Sequence, residues 1–398
     1  MMKVPNNPFF GTHYIGRKEK KAVDKVIKSK SLFRYQGPNL QYMTDQFEEA
    51  MKEYLNVKYV LACSNGGTAL KLSCIALGIG IGDEVLVPSF TFIASASNIL
   101  AVGAVPKFVD IDETMNIDPK SIEQNISERT KAIIVVHMQG SPANMKEIMK
   151  IAKKHNLKVI EDTAQALGAE LNGKKVGTFG DCGAFSLQAG KTITCGEGGF
   201  FVTNNKDLYM RAKMYHDNGG YRVGCSYPTW ENTKTFFGEN FKITEIQSAI
   251  ALEQLKKIDK IISFQERKYQ YLINRIDTNF YKIRPFVKGA NSFKMSLGIV
   301  FSTKEECDNF IKYMNNHGIG FNIYCSNLID KYDTFKFQNS WDKNNFPYSL
   351  TKYIPNKCEK AESLFKRVAW FNLSAELKRK HLKYIVSKLE EYKNVRCW

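Results

Sequence analysis

The stretch A-F-S-L-Q-A-G-K-T-I-T-C-G-E-G-G, residues 184–199, sets Ser186 and Lys191 five positions apart between an apolar run and a glycine-rich turn. A lysine sheltered in such a place can form a Schiff base with an aldehyde, and a nearby serine hydroxyl can donate to a phosphate. Gly196, Gly198 and Gly199 permit positive φ and close backbone approach around it. A lysine taken alone is most often a solvated surface residue, so this one gains weight only from its companions.

Three other segments supply complementary groups. In V-I-E-D-T-A-Q, residues 159–165, Asp162 follows an apolar run and would stand at the carboxyl end of a strand, where open α/β sheets bind ligands. Its plainer reading is a helix N-cap. In C-S-N-G-G-T-A-L, residues 63–70, two glycines and a threonine lie between strand and helix patterns. Backbone N–H groups at such a helix start bind phosphate, although the same sequence also suits an ordinary turn. The lysine–serine pair of a nucleotide-triphosphate loop is missing there. In V-P-S-F-T-F-I-A-S, residues 87–95, two aromatics follow a strand end and can stack on a flat ring or fill the core. A Schiff-base lysine, a carboxylate for a ring nitrogen, an anion cradle and a stacking ring together meet the needs of pyridoxal 5'-phosphate (PLP), whose protonated ring is an electron sink.

The elements that must position these groups follow from periodicity. Between about residues 55 and 205, short β-branched runs alternate with helical patterns, as in a parallel sheet covered by helices. Strands are expected at 58–63, 83–88, 105–111, 131–137, 157–163, 182–187 and 198–204, and helices at 68–80, 95–103, 119–126 and 144–156. One long amphipathic stretch, 244–276, reads as a bridge to a second domain, which mixes a strand run at 296–302 with helical runs at 304–318 and 374–394. The expected organisation is α/β: a large domain over 31–255 with a seven-stranded, mostly parallel sheet between helices, and a smaller α+β domain over 256–398. An N-terminal segment, 1–30, is expected to pack on the small domain. Residues 330–355, rich in aromatics, Asn and Lys, show no periodicity and are assigned to no element.

Composition removes other classes. No run approaches the roughly 18 apolar residues of a membrane span, and the N-terminus lacks the order of a signal peptide, so a cytoplasmic enzyme is expected. The nine cysteines (Cys63, Cys74, Cys182, Cys195, Cys225, Cys307, Cys325, Cys358, Cys397) are dispersed and never fall as CxxC, and the histidines show no ligand spacing. Free thiols and no protein-bound metal are expected. The formal charge of +17 invites a nucleic-acid reading, but Lys257, Lys260, Lys312 and Lys378 lie dispersed through helical patterns, as on a solvated face. No nucleic-acid or membrane partner is expected.

In order and spacing, these motifs resemble the DegT/DnrJ/EryC1/StrS family of sugar aminotransferases, from about residue 10 to 260 and more loosely to the C-terminus. The resemblance implies an aspartate-aminotransferase-like type I PLP fold. It implies Lys191 as the Schiff-base lysine, Asp162 as the partner of the ring nitrogen, Gln165 near the ring's phenolic oxygen and Phe92 as the stacking aromatic. Gly67, Thr68 and Ser186 become phosphate contacts, and Asn240, in G-E-N-F-K-I-T-E-I-Q (238–247), reaches the phosphate of a partner subunit, which implies a homodimer with shared sites. Lys242 and Gln188 depart from the arginine and the His or Tyr common at those places, so the substrate side is less defined than the cofactor side. The implied reaction moves an amino group from glutamate or glutamine to a keto-sugar, nucleotide-linked or free. F-R-Y-Q-G-P (33–38) and the C-terminal region are similar to the aminotransferases that make 8-amino-3,8-dideoxyoctulosonate. Two alternatives on the same fold are a PLP-dependent sugar dehydratase, whose kind has histidine where Lys191 stands, and a non-catalytic sensor or nucleic-acid-binding protein.

Overall fold

The computed structural model describes residues 2–224, 226–231 and 235–396; Cys225 and Cys397, expected as free thiols, lie outside the described residues. Seven strands form the main sheet: β1 (Tyr59–Cys63), β2 (Glu84–Pro88), β3 (Val105–Val109), β4 (Thr130–Val136), β5 (Lys158–Asp162), β6 (Cys182–Ser186) and β7 (Gly199–Thr203). Their spatial order is β1-β7-β6-β5-β4-β2-β3. Pairs from β6 across to β3 are parallel, whereas β7 runs antiparallel to both neighbours. Each expected strand appears within two residues of its expected ends. The strands are buried along nearly their whole length because both faces are covered. Alternation still decides the face: Val85, Val87, Ile134 and Ile160 enter one apolar cluster, while Leu86, Ile133, Val135 and Val159 enter another.

A three-stranded antiparallel sheet, β8 (Lys282–Ile283), β9 (Ser296–Val300) and β10 (Val368–Asn372), builds a smaller core. Leu297, Ile299 and Phe371 pack there against Phe310 and Met314 of helix Lys304–Asn316 and Ile385 and Leu389 of helix Arg379–Arg396. The amphipathic stretch over 244–276 folds as two helices, Glu245–Leu255 and Ile258–Ile273. The break falls at Lys257, where φ reaches −109° and the ammonium is held by Tyr14 O and Glu19. The apolar pattern runs on through the break, so periodicity does not register it.

The N-terminal segment divides between the two cores rather than packing on the smaller one alone. Val4 joins the smaller cluster and donates its N–H to Gly318 O at 3.0 Å, whereas Phe10 belongs to the larger. Helix Arg17–Ser29 lays Val26 against Ala249. Gly11 approaches the Lys191 loop so closely that a Cβ would sit 2.8 Å from Thr194 N, and its N–H donates to Lys191 O.

Residues 330–355 have little regular structure because they serve as a cover. They lie between helix Lys304–Asn316 and β10, reach back to the large core with Phe335, Tyr348 and Tyr353, and bond along the β3 side of the sheet. Thr351 Oγ1 donates to Gly103 O at 3.3 Å and Arg129 donates to Lys352 O at 2.7 Å, and just past the segment Asn356 Nδ2 donates to Phe108 O. No described helix is long and apolar enough to cross a membrane.

Candidate active site

A cavity of about 570 Å³ opens where β2, β4, β5 and β6 end. Lys191 enters it from the loop between β6 and β7, held by its own N–H to Gln188 O at 2.9 Å. Its Nζ makes no hydrogen bond or ion pair with any described residue. Burial lowers the pKa of the ammonium, and the carboxylates of Asp162 and Glu197 oppose that shift. The result is a sheltered amine with its lone pair more available than that of a surface lysine.

Asp162 ends β5 on the same wall. Its Oδ2 accepts from Ser95 Oγ at 2.7 Å and its Oδ1 from Ala164 N at 3.1 Å. Burial raises its pKa, opposed by these two bonds and by the Lys191 charge. No helix follows Asp162, only a turn, so the N-cap reading is set aside. The strand end is braced from behind. The buried Glu161 accepts N–H groups from Gly177 at 2.7 Å, Phe179 at 2.6 Å and Gly180 at 2.7 Å, and His137 Nε2 at 3.0 Å. His137 Nδ1 accepts from Ala143 N, which assigns the proton to Nε2, and His137 N donates to Asp162 O.

The anion cradle lies at the start of helix Gly66–Ala76. Asn65 caps it by accepting from Thr68 N at 2.8 Å, and Thr68 Oγ1 lies 3.0 Å from Ser64 Oγ. Among the described residues, the N–H groups of Gly66 and Gly67 find no partner; both residues line the cavity, and Thr68 next to them is buried. Ser186 presses on this turn: a Cβ on Gly66 would lie 2.7 Å from Ser186 Cβ. Two free amides at a helix start and an adjacent hydroxyl fit a phosphate monoester. Phe92 lines the same cavity with 63% of its surface exposed.

Gln165 faces this space from the turn after Asp162. It accepts Gln139 N at 2.9 Å and donates Nε2 to Tyr324 OH at 3.2 Å. Burial pushes the Tyr324 phenol up to about 12, which keeps it protonated. The structure thus brings Gly67, Phe92, Asp162, Gln165, Ser186 and Lys191 to one cavity, with Thr68 directly behind. Asn240 is exposed and lies outside that wall, beside an ion-pair cluster in which Asp217 accepts from Arg222 at 2.8 Å and from Lys242. Sequence reasoning missed Ser95, Gln139, Glu197, Met295 and Tyr324. Gln139 carried a usable signal, since it follows β4 much as Gln165 follows β5; nothing local marks Tyr324.

The residues present fit PLP: a buried carboxylate, a free amine, an open anion cradle and an uncovered aromatic surround one cavity. A model of the DegT/DnrJ/EryC1/StrS aminotransferase family matches residues 13–390. A GDP-perosamine synthase of Caulobacter vibrioides is 40% identical over 281 residues, 69% of this chain and 74% of that one. Its counterpart in Escherichia coli O157:H7 is 44% identical over 62% of this chain and 65% of its own length. An L-glutamine:2-deoxy-scyllo-inosose aminotransferase of Streptomyces lividus is 39% identical over 54% and 52%. Among solved structures, an aminotransferase from Psychrobacter cryohalolentis superposes with a TM-score of 0.84 at 29% identity over 96% of this chain and 98% of that one. Helicobacter pylori PseC, an aminotransferase involved in the biosynthesis of pseudoaminic acid, gives 0.81 at 27% identity over 98% and 99%. The chain belongs to the DegT/DnrJ/EryC1/StrS family of PLP-dependent aminotransferases.

Proposed function

We propose that this sugar aminotransferase transfers an amino group from glutamate or glutamine to a keto-sugar, nucleotide-linked or free, or to an inosose, in amino-sugar biosynthesis. The observation that carries the reading is the unpartnered Lys191 amine in one cavity with the buried Asp162 carboxylate. PLP supplies the electron sink that stabilises charge at the donor's Cα. Asp162 would keep the ring nitrogen protonated, its carboxylate direction fixed by Ser95 and Ala164. Gly66, Gly67 and Ser186 would hold the phosphate, Phe92 would cover the ring, and Gln165 would face its phenolic oxygen. Lys191 Nζ, made less basic by burial, would be the base that takes the proton from the donor's Cα.

In support of a GDP-linked sugar or an inosose over a free octulosonate as acceptor, the perosamine synthases are named for a GDP-linked product and the inosose aminotransferase for its acceptor. Asn240 is proposed to serve the phosphate of a second copy, which makes the enzyme a homodimer. Its exposure outside its own chain's cavity supports this, as do the exposed Val223, Tyr227 and Phe237 nearby in sequence. The free thiols, six of them buried, suit the reducing cytoplasm.

The test is to load the enzyme with pyridoxamine phosphate and offer nucleotide-linked keto-sugars, free keto-sugars and inososes in turn. Return of the visible absorbance of the PLP form identifies the acceptor. No return with any of the three classes would refute the reading.

A further inference from the structure

The loop after β4 and the first residues of β9 meet beside the cavity. Gln139 stands at φ 53°, ψ 39°, a left-handed conformation that a residue with a side chain adopts uncommonly. Three contacts hold the loop. Met138 O accepts from Arg284 Nη2 at 2.8 Å, Gly140 O accepts from Phe293 N at 2.9 Å, and Gln139 Oε1 accepts from Ser296 Oγ at 2.8 Å. Gly140, at φ 76°, would carry a Cβ 1.9 Å from Phe293 O, so the two segments touch backbone to backbone. All three donors come from the chain around β8 and β9, and all three acceptors from the large sheet's loop. Arg284 is buried and also donates Nε to Thr114 O at 2.8 Å, with its guanidinium over Trp370.

On its other side Gln139 N holds Gln165 Oε1. Gln165 Nε2 uses one hydrogen on Tyr324 and keeps the other for an acceptor in the cavity. We propose that Ser296 and Gln139 form a positioning relay through which the smaller domain sets how Gln165 presents its amide to the cofactor's ring. The relay rests on the proposed contact between Gln165 and the phenolic oxygen. A hydrogen donated to that oxygen stabilises its anionic form, and so lowers the pH at which the visible absorbance of the PLP-loaded enzyme changes. A loosened relay lets the amide turn away and raises that midpoint.

The experiment titrates the visible absorbance of PLP-loaded Ser296→Ala, Ser296→Thr, Gln139→Leu and Gln165→Ala, and measures kcat and KM alongside. The relay predicts an upward midpoint shift of about half a pH unit in Ser296→Ala, roughly threefold in the proton equilibrium. It also predicts a kcat fall of about tenfold with a smaller change in donor KM, and recovery of the midpoint in Ser296→Thr, which keeps the hydroxyl. If Gln165→Ala shifts the midpoint while Ser296→Ala leaves it in place, the relay is overturned and the ring contact stands. If neither shifts it, the ring contact falls and the relay with it. Should Gln139→Leu fail to fold, Ser296→Ala decides, because it removes one oxygen and leaves the other loop contacts intact.

Discussion

Lys191 and Asp162 are displaced towards their uncharged forms by the same burial, the amine downward and the carboxyl upward. In the proposed site, Lys191 would be the residue that holds PLP and Asp162 the carboxylate that would face its ring cation, so both shifts suit the bound cofactor. Lys191→Ala is expected to lose both the visible absorbance and turnover; retention of either in a purified preparation would remove it from the centre. Asp162→Asn should lower kcat by a factor on the order of 10²–10³, the size of a lost electrostatic partner. The raised carboxyl pKa also gives a sign. In the empty enzyme the carboxyl is protonated at a higher pH than an ordinary aspartate, and it must lose that proton to pair with the ring. PLP affinity should therefore fall as pH drops through the raised value, measurable by equilibrium dialysis, and a flat acid limb would count against the pairing. At this scale the residues on strand ends and glycine turns were legible, because Lys191, Asp162 and Ser186 each sit where a local pattern changes. Ser95 and Tyr324 were not, since each is recruited only by a contact with a residue 67 or 159 positions away.

Helix ends carry the next set of consequences. Thr244 caps Glu245–Leu255 by accepting from Gln247 N, and Gln247 Oε1 accepts in return from Thr244 N. Thr244→Ala should cost about 1 kcal/mol, read as a lower midpoint in thermal or denaturant unfolding. His216, at the end of helix Lys206–Tyr215, is fully buried, and its pKa is lowered to about 3, first by burial and then by the charges of Arg34 and Lys242. Its unfolded value lies near 6.5, so below that pH the unfolded chain takes up a proton that the fold refuses. The fold should lose up to about 1.4 kcal/mol per pH unit from this group between about pH 6 and 3. His216→Phe should flatten that part of the stability profile; an unchanged slope would show that the imidazole titrates in the fold. The split at Lys257 marks the limit of pattern reading for elements, because an amphipathic sequence reports which residues face the core and is silent on where one axis gives way to another.

For the molecule as a whole, the proposed sharing of the site between two copies makes a prediction that no single chain can satisfy. Lys191→Ala and Asn240→Ala homodimers should both be impaired, yet a mixed dimer assembles one intact site from the Lys191 of one chain and the Asn240 of the other. Unfolding and refolding the two variants together should restore about a quarter of wild-type activity, taking statistical pairing with one good site in half the dimers. No recovery above the separate variants would place each site within one chain. The α/β architecture was legible because seven apolar runs and their intervening helices repeat one local pattern. The course of residues 330–355 was not, since partners such as Gly103 for Thr351 and Phe108 for Phe335 lie in β3 and the turn before it, more than 200 positions earlier.

That covering segment bears on solubility. β3 is the last strand of the main sheet, and a bare rim of that kind is a template for another chain's strand. Asn356 occupies the carbonyl of Phe108, and Asp110, just past the end of β3, accepts the N–H groups of Lys360 and Ala361. The excursion between helix Lys304–Asn316 and β10 thus occupies part of a rim that would otherwise be open to another strand. A chain shortened across it would be expected to scatter light and precipitate at concentrations where the intact enzyme stays clear.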